Sequence, residues 1–477
     1  MLWFGYLGKT KIPHRKNTAD MPAVRITPPA EVLIPTSQHI GSPATPIVKI
    51  GDEVKVGQKI AEASGYVSSP IYASVSGKVT KIENYLRPDG REVPAIRIVS
   101  DGNMEATEFT PPVINDLEDL VSAIRESGMV GLGGAGFPTS VKFDAVKRGS
   151  IDTIILNGAE CEPYITSDTR TMLDKADLIR SGIEIFRQFM PSVKSYIIGI
   201  ENNKPECIAK MNETFADIDE VSVISLPSAY PQGGEKVIIY NTTRRTVPEG
   251  KLPADVGVVV INVTSLATIA QYLTTGVPLI EKCITVDGSA VSSPANVIAP
   301  IGTPISHILN FIGGLNQSAS SDGSSKEHTD ELVGGLKEPV GKVLYGGPMM
   351  GVAASSLDEP IAKTTNAITV LSVKDSTRAP VTACIHCGRC VTACPMHLNP
   401  TEFAKALNLD SREERVARLE EYKLGICIEC GCCSYVCPAN RPLVQNNRIG
   451  KAEIRDYKSH LATLKGPSSS PDKVAGN

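Results

Sequence analysis

The chain has 477 residues, 42% of them hydrophobic and 21% charged, and a net charge of −4. That length predicts three or four domains, and the charge balance argues against a nucleic-acid partner. No apolar run reaches the ~18–20 residues of a membrane span, and Met1–Gly8 lacks the basic start and cleavage site of a signal peptide. Twelve cysteines without a secretory signal therefore point to the cytoplasm and to metal binding.

In chain order, residues 1–105 read as an N-terminal region carrying a small β domain. Val54, Val56, Ile60, Val67, Val75, Val79, Ile96 and Ile98 alternate with polar residues, and Gly51, Gly57, Gly65 and Gly77 punctuate them. The phrases GDEVKVGQKIAEA and SPIYASVSGKVTKI resemble the half-motifs of a barrel-sandwich (biotinyl/lipoyl-like) domain. The tip, where such domains carry a modified lysine, holds Ser68, Ser69 and Pro70. This predicts a docking or packing module, not a swinging arm.

Residues 112–265 alternate helical and strand patterns and predict an α/β layer sandwich. Strands are expected at Thr153–Leu156, Tyr196–Ile200 and Val258–Val263, and helices at Leu178–Phe189 and Ile208–Phe215. Residues 266–345 suit a small β-grasp-like unit, with a strand at Ile284–Val286 and a helix at Ile305–Phe311. The Ser-rich stretch Ser318–Thr329 reads as a mobile loop. Residues 376–450 hold a cysteine cluster around a charged helix or helix pair at Thr401–Tyr422, and residues 465–477 read as a disordered tail.

The cysteines carry the strongest signal. Cys384, Cys387, Cys390 and Cys394 precede Pro395; Cys427, Cys430, Cys433 and Cys437 precede Pro438. Both runs read C-x2-C-x2-C-x3-C-P, the spacing of bacterial two-cluster ferredoxins, in which the fourth cysteine of each run ligates the other cluster. The assignment is two [4Fe–4S] centres, one on Cys384, Cys387, Cys390 and Cys437, the other on Cys427, Cys430, Cys433 and Cys394. Zinc ribbons use C-x2-C pairs too, but need neither the third and fourth cysteines nor the repeat. Disulfides fit a reducing compartment poorly. Cys432 is off the spacing and reads as a packed thiol, as does Cys161. Met349 and Met350 are expected to fill a core gap beside glycines. His14 and His386 read as structural or potential-tuning residues.

Gly131-Leu-Gly133-Gly-Ala-Gly136 matches G-x-G-x-x-G, but a helix precedes it instead of a strand, so it is not a standard dinucleotide fingerprint. Bare backbone there still lets a flat ring or a phosphate approach, and Pro138 is placed to start a helix. Asn157-Gly-Ala-Glu160-Cys-Glu162-Pro163 follows a buried strand, Tyr230-Pro-Gln-Gly233-Gly-Glu235 forms a third turn, and Asn262 closes another strand. Such turns at strand ends are where open α/β sheets bind ligands.

On these residues the chain resembles the flavin- and NADH-binding subunit of respiratory complex I. With GGPMMG (Gly346–Gly351) and the domain order it resembles, more specifically, the RnfC family, the peripheral subunits of Rnf ferredoxin:NAD oxidoreductases. The resemblance implies a multidomain α/β and β architecture: barrel-sandwich hybrid, Rossmann-like flavoprotein-type α/β domain, β-grasp (SLBB-like) unit and twin [4Fe–4S] ferredoxin domain. It implies FMN contacts at Gly131, Gly133, Lys142, Asn157, Glu160, Gly233 and Asn262, with Phe137, Glu162 and Glu235 facing NAD(H). It implies other Rnf subunits, integral-membrane and ferredoxin-like, as partners, ferredoxin indirectly, and a peripheral place on the cytoplasmic face of the cell membrane. The chain departs from the complex I pattern at Leu132 (usually arginine), Ala159 (aspartate), Gly234 (acidic) and Leu252 (a stacking phenylalanine). A soluble iron–sulfur flavoprotein of the cobalamin-reductase kind, and a flavin-free electron relay, are the competing readings.

Overall fold

Period-two alternation builds the first domain. A computed structural model describes residues 10–87, 90–134, 136–313 and 340–464. Strands Glu31–Pro35, Glu92–Ser100, Gly77–Leu86 and Glu53–Val54 pair antiparallel in that order, and Thr45–Pro46, Lys59–Glu62 and Ile71–Tyr72 form a second small sheet. Val32, Ile34, Ile60, Ile71, Val79, Ile96 and Ile98 are buried between them, each contributing roughly 1.5–3 kcal/mol by leaving water. The tip residues Ser68 and Ser69 are buried. The Lys363 ammonium donates to Ser69 Oγ at 3.2 Å, Pro70 O at 2.6 Å and Gly128 O at 2.7 Å. The tip is docked, as its lack of a lysine suggested.

The α/β domain has a four-stranded parallel sheet in the order Val221–Leu226, Ser195–Glu201, Thr153–Gly158, Val258–Asn262. Alternate side chains serve two layers. Ile154, Leu156, Ile198 and Ile261 pack under helices Leu117–Glu126, Ala176–Phe189 and Val263–Thr275. Ile155, Ile197, Val258 and Val260 face Ile238 and Ile239 of helix Glu235–Thr243. Ile179, Ile183 and Phe186 repeat at helical spacing on the buried face of Ala176–Phe189. A Cβ on Gly182 would come within 2.7 Å of Leu266, so glycine lets that helix lie close to Val263–Thr275. The chain runs outward from Thr153–Gly158 in one direction, then returns to add Val258–Asn262 on the other side. That reversal is a topological switch point, where crevices form at strand C-termini.

The expected boundary at residue 265 is corrected, because it falls inside helix Val263–Thr275, whose Leu266 and Ile269 belong to the α/β core. The expected end at 345 is corrected too. The third sheet runs Val24–Arg25, Ala295–Pro300, Glu281–Asp287, Ala367–Ser372, Val340–Tyr345, Val352–Ala353, so its fourth strand lies well beyond that point and its first comes from the N-terminal segment. Helix Ile305–Gly313 covers it. The stretch Ser318–Thr329 and the tail 465–477 lie outside the described residues.

Residues from Ala379 onward form a separate compact unit. The expected helix pair is Pro400–Ala406, capped by Asn399 Oδ1, and Arg412–Glu421, capped by Ser411 Oγ. A 22-residue helix, Leu443–Leu464, closes the unit and was not anticipated. Among the described residues no helix is long and apolar enough to cross a membrane.

Candidate functional site

The two cysteine runs fold as copies of one loop. His386 and Glu429 occupy matching left-handed positions, φ 56° and 55°, and Gly388 and Gly431 follow at 73° and 80°. In each copy the amide after the intervening residue donates to the first cysteine: His386 N to Cys384 Sγ and Glu429 N to Cys427 Sγ, both 3.4 Å. Such bonds stabilise thiolate charge and tune potential. Cys384, Cys387, Cys390 and Cys437 line one cavity. Cys427, Cys430, Cys433 and Cys394 line another. Each cavity thus takes one cysteine from the other run, Cys437 at the first and Cys394 at the second, and Cys432 lines the second as well.

Among the described residues no three His, Cys, Asp or Glu side chains converge on one point as ligands of a single ion. A four-iron cube takes one thiolate at each of its irons. The cavities differ in surroundings. Cys387 is exposed at the first. At the second, Cys430 and Cys433 are buried, Asn447 Nδ2 donates to Cys427 Sγ at 3.4 Å, and Lys451 Nζ bridges Cys427 O and Glu429. Cys432, off the repeated spacing, is fully buried beside the second cavity.

In the α/β domain, the glycine loop is pinned at its base, where Gly131 N donates to Phe137 O at 2.8 Å and Gly136 N to Gly131 O at 3.1 Å. Gly134 has φ +108° and open space where a Cβ would stand. Gly133 faces Asn262, with a Cβ position 3.5 Å from its Nδ2. Gly233 faces Asn157 in the same way, 3.5 Å from Oδ1. Asn157 and Asn262 are paired residues at the ends of neighbouring strands across the switch point. Bare backbone at Gly133 and Gly233 therefore lies against the two asparagines at the switch point, where an added side chain would meet them.

The polar groups have definite partners. Asn157 Nδ2 donates to Gly233 O at 2.9 Å. Asn262 Oδ1 caps helix Val263–Thr275 through Thr264 N and Ser265 N, and its Nδ2 donates to Asp168 at 2.7 Å. Lys142 pairs with Glu235 at 2.8 Å and donates to Val260 O at 3.1 Å. Glu160, read as a cofactor contact, has its carboxylate at the start of helix Ser167–Asp174, accepting from Asp168 N at 2.6 Å and Thr169 Oγ1 at 2.6 Å. Burial raises its pKa above the usual carboxylate range, opposed by the nearby Lys16 charge. Glu162 accepts from Met349 N, Met350 N and Tyr230 Oη. Met350 is 44% exposed, which corrects the expectation that the methionine pair fills a core gap; its backbone amide is what the fold uses. Cys161, expected to be packed, is partly exposed; Gly233 N donates to its Sγ at 3.4 Å, and desolvation pushes its pKa up to about 12.

Two lysines that no sequence pattern singled out hold the acidic loop from behind. Lys16 Nζ donates to the carbonyls of Glu160, Glu162 and Ile165 at 2.6–2.8 Å. Lys204 Nζ donates to Ala159 O at 2.6 Å and pairs with buried Glu201. Asp168 was also missed, though its place just past the loop was a signal. Of the four departures, Leu132 is a core residue at 2% exposure, Ala159 is fully buried, and Leu252 is 68% exposed.

Fold and cavities together define the class, an iron–sulfur protein with a flavoprotein-type α/β domain. Family models agree with it. The RnfC barrel sandwich hybrid domain matches residues 6–103, the Nuo51 FMN-binding domain 124–271, the SLBB domain 283–325 and the 4Fe–4S dicluster domain 383–441. The C-type subunit of a proton-translocating ferredoxin:NAD+ oxidoreductase complex from Clostridium ljungdahlii is 42% identical over 92% of both chains. Its Na+-translocating counterpart from Acetobacterium woodii is 39% identical over 82% of this chain and 85% of its own. The chain belongs to this family, the C-type subunits of ion-translocating ferredoxin:NAD+ oxidoreductase complexes. Among solved structures, an NAD+-reducing [NiFe]-hydrogenase chain aligns at TM-score 0.48 and 17% identity, covering 75% of this chain and 68% of that one.

Proposed function

We propose that the chain is the electron-transfer subunit of an ion-translocating ferredoxin:NAD+ oxidoreductase complex, carrying two [4Fe–4S] clusters and FMN. The observation behind the cluster assignment is the pair of cysteine-lined cavities, each with one cysteine from the other run. Bound FMN supplies the exchange between hydride, two electrons at once, and the single electrons of iron–sulfur clusters.

The residues supply position and electrostatics. Gly131 and Gly133 give flat backbone for the isoalloxazine ring, and Asn157, Gly233 and Asn262 form the opposite edge. Lys142 brings a positive charge to the crevice, and Glu160 braces the loop through the adjoining helix. Phe137, Glu162 and Glu235 stand on the nucleotide side. The eight cysteines hold the clusters, and the amides of His386 and Glu429 stabilise their negative charge. Integral-membrane and ferredoxin-like subunits of the complex are the partners, with ferredoxin reached through them. The chain sits peripherally on the cytoplasmic face, and ion movement belongs to membrane subunits.

The test is an anaerobic preparation of the full chain. About eight irons and one acid-extractable flavin per chain are expected, with NADH bleaching both flavin and cluster absorbance. Full iron with neither flavin nor NADH-dependent bleaching would leave a flavin-free relay in its place.

A further inference from the structure

Glu162 lies in the same acidic loop as Asn157, yet its carboxylate meets a turn from a different sheet. Oε1 accepts from Met350 N at 2.8 Å and from Tyr230 Oη at 3.3 Å, and Oε2 accepts from Met349 N at 3.1 Å. The turn, Gly346–Gly351, is rooted in the β-grasp sheet: Gly346 N donates to Ala367 O at 2.8 Å, and Gly346 O accepts from Thr369 Oγ1 at 2.7 Å. Gly351 N closes it onto Gly347 O at 2.9 Å. At Gly347 a Cβ would stand 2.2 Å from Glu162 Oε2 and 2.8 Å from its Cβ. Glycine at that position is what lets the two segments meet.

Three turns converge on this carboxylate. Asn157–Pro163 carries it, the turn Tyr230–Gly233 reaches it through Tyr230 and is tied to Asn157 through Gly233, and Gly346–Gly351 is clamped by it. The third turn is thereby set against the loop that follows strand Thr153–Gly158. Its outer side presents Pro348 and the half-exposed Met350. A thioether is a soft, polarisable surface for a flat aromatic ring.

We infer that the turn Gly346–Gly351 is a wall of the nicotinamide-nucleotide site, contributed by the β-grasp domain, and that Glu162 is a positioning residue holding it in place. Glu162 thus acts on the nucleotide through the turn. This rests on the reading of the α/β domain as a flavin and NAD(H) site.

Three variants of the full chain test it. Glu162→Gln keeps the shape but sets an amide N–H against a backbone N–H. Gly347→Ala drives the turn off an intact carboxylate. Met350→Ala trims the wall and spares the backbone clamp. NADH binding to the flavin-loaded chain by calorimetry, amide exchange at 349–350 and flavin per chain are the readouts. Glu162→Gln and Gly347→Ala are expected to weaken NADH binding alike, by about tenfold, to speed exchange at Met349 and Met350, and to leave flavin content unchanged. The loss in kcat/KM is expected to fall on KM. Met350→Ala weakens binding with exchange unchanged. If Gly347→Ala and Met350→Ala bind NADH like the wild type while Glu162→Gln does not, Glu162 touches the nucleotide itself and the turn has no part. Wild-type chain that retains flavin but binds no NADH overturns the proposed function as well.

Discussion

Glu160 shows how one half-buried carboxylate is held. Its two oxygens take an amide and a hydroxyl at the start of helix Ser167–Asp174, and Lys16 draws the loop's carbonyls together behind it. Removing the acceptor leaves those donors buried and unpaired, so Glu160→Ala is expected to destabilise the chain by roughly 2–3 kcal/mol, with Glu160→Gln losing about half of that. Chemical denaturation measures the difference. A Glu160→Gln chain of full stability that loses its flavin would instead make this side chain a direct cofactor contact. Lys363 poses the opposite case, a buried ammonium whose pKa burial lowers from 10.5 to about 7. Below about pH 7 both folded and unfolded chains hold the proton and the penalty is complete. As pH rises toward 10.5 the folded chain loses the proton first, the unfolded chain binds more protons, and stability increases. Thermal unfolding from about pH 7 to about pH 10 should show the wild type gaining on Lys363→Met across that window. A constant difference would mean that Lys363 titrates normally.

Among elements, the glycine loop and the two strand ends it faces are the most exacting. Gly133 stands against Asn262 and Gly233 against Asn157, so a branched side chain at either would crowd the asparagine it faces. Gly133→Val is expected to cut flavin retention at least tenfold, measured by fluorescence of the released flavin, with the unfolding midpoint nearly unchanged because no core contact is lost. Asn262 has a second duty as helix cap. Asn262→Ala should therefore lose both flavin and about 1 kcal/mol of stability, and that joint loss distinguishes it from Gly133→Val. The strands that carry the two asparagines, Thr153–Gly158 and Val258–Asn262, were legible from their apolar runs, as was Ser195–Glu201, though Val263 opens a helix instead of ending a strand. The domain edges were not, because a helix that follows a strand directly, as Val263–Thr275 does, leaves no polar gap to mark a boundary.

At the scale of the whole molecule, the crossed cysteine runs make a prediction that a simple linear reading would not. Cys437→Ser should disturb the cluster held by Cys384, Cys387 and Cys390, and Cys394→Ser the one held by Cys427, Cys430 and Cys433. Electron paramagnetic resonance of each reduced variant tells the two apart, and each variant losing the cluster of its own run would refute the crossing. The cavities are unequal as well. With Cys387 exposed at the first and Cys430 and Cys433 buried at the second, brief air exposure should reduce iron from about eight toward about four per chain, with the signal of the Cys427 cluster surviving longer.

What the sequence determined by itself was whatever depends on neighbours along the chain. Cysteine spacing sets which thiols share a loop, glycine and proline set where turns fall, and apolar period sets strand or helix. The tertiary structure decided whatever depends on groups brought together across long separations. It placed Lys16 beneath a loop far along the chain, 149 residues away at its bond to Ile165. It turned Glu162 onto amides 187 and 188 residues away. A carboxylate in a loop reads the same in sequence whether it faces solvent, cofactor or a partner turn. Only burial, which makes an unpaired charge untenable, selects its partners.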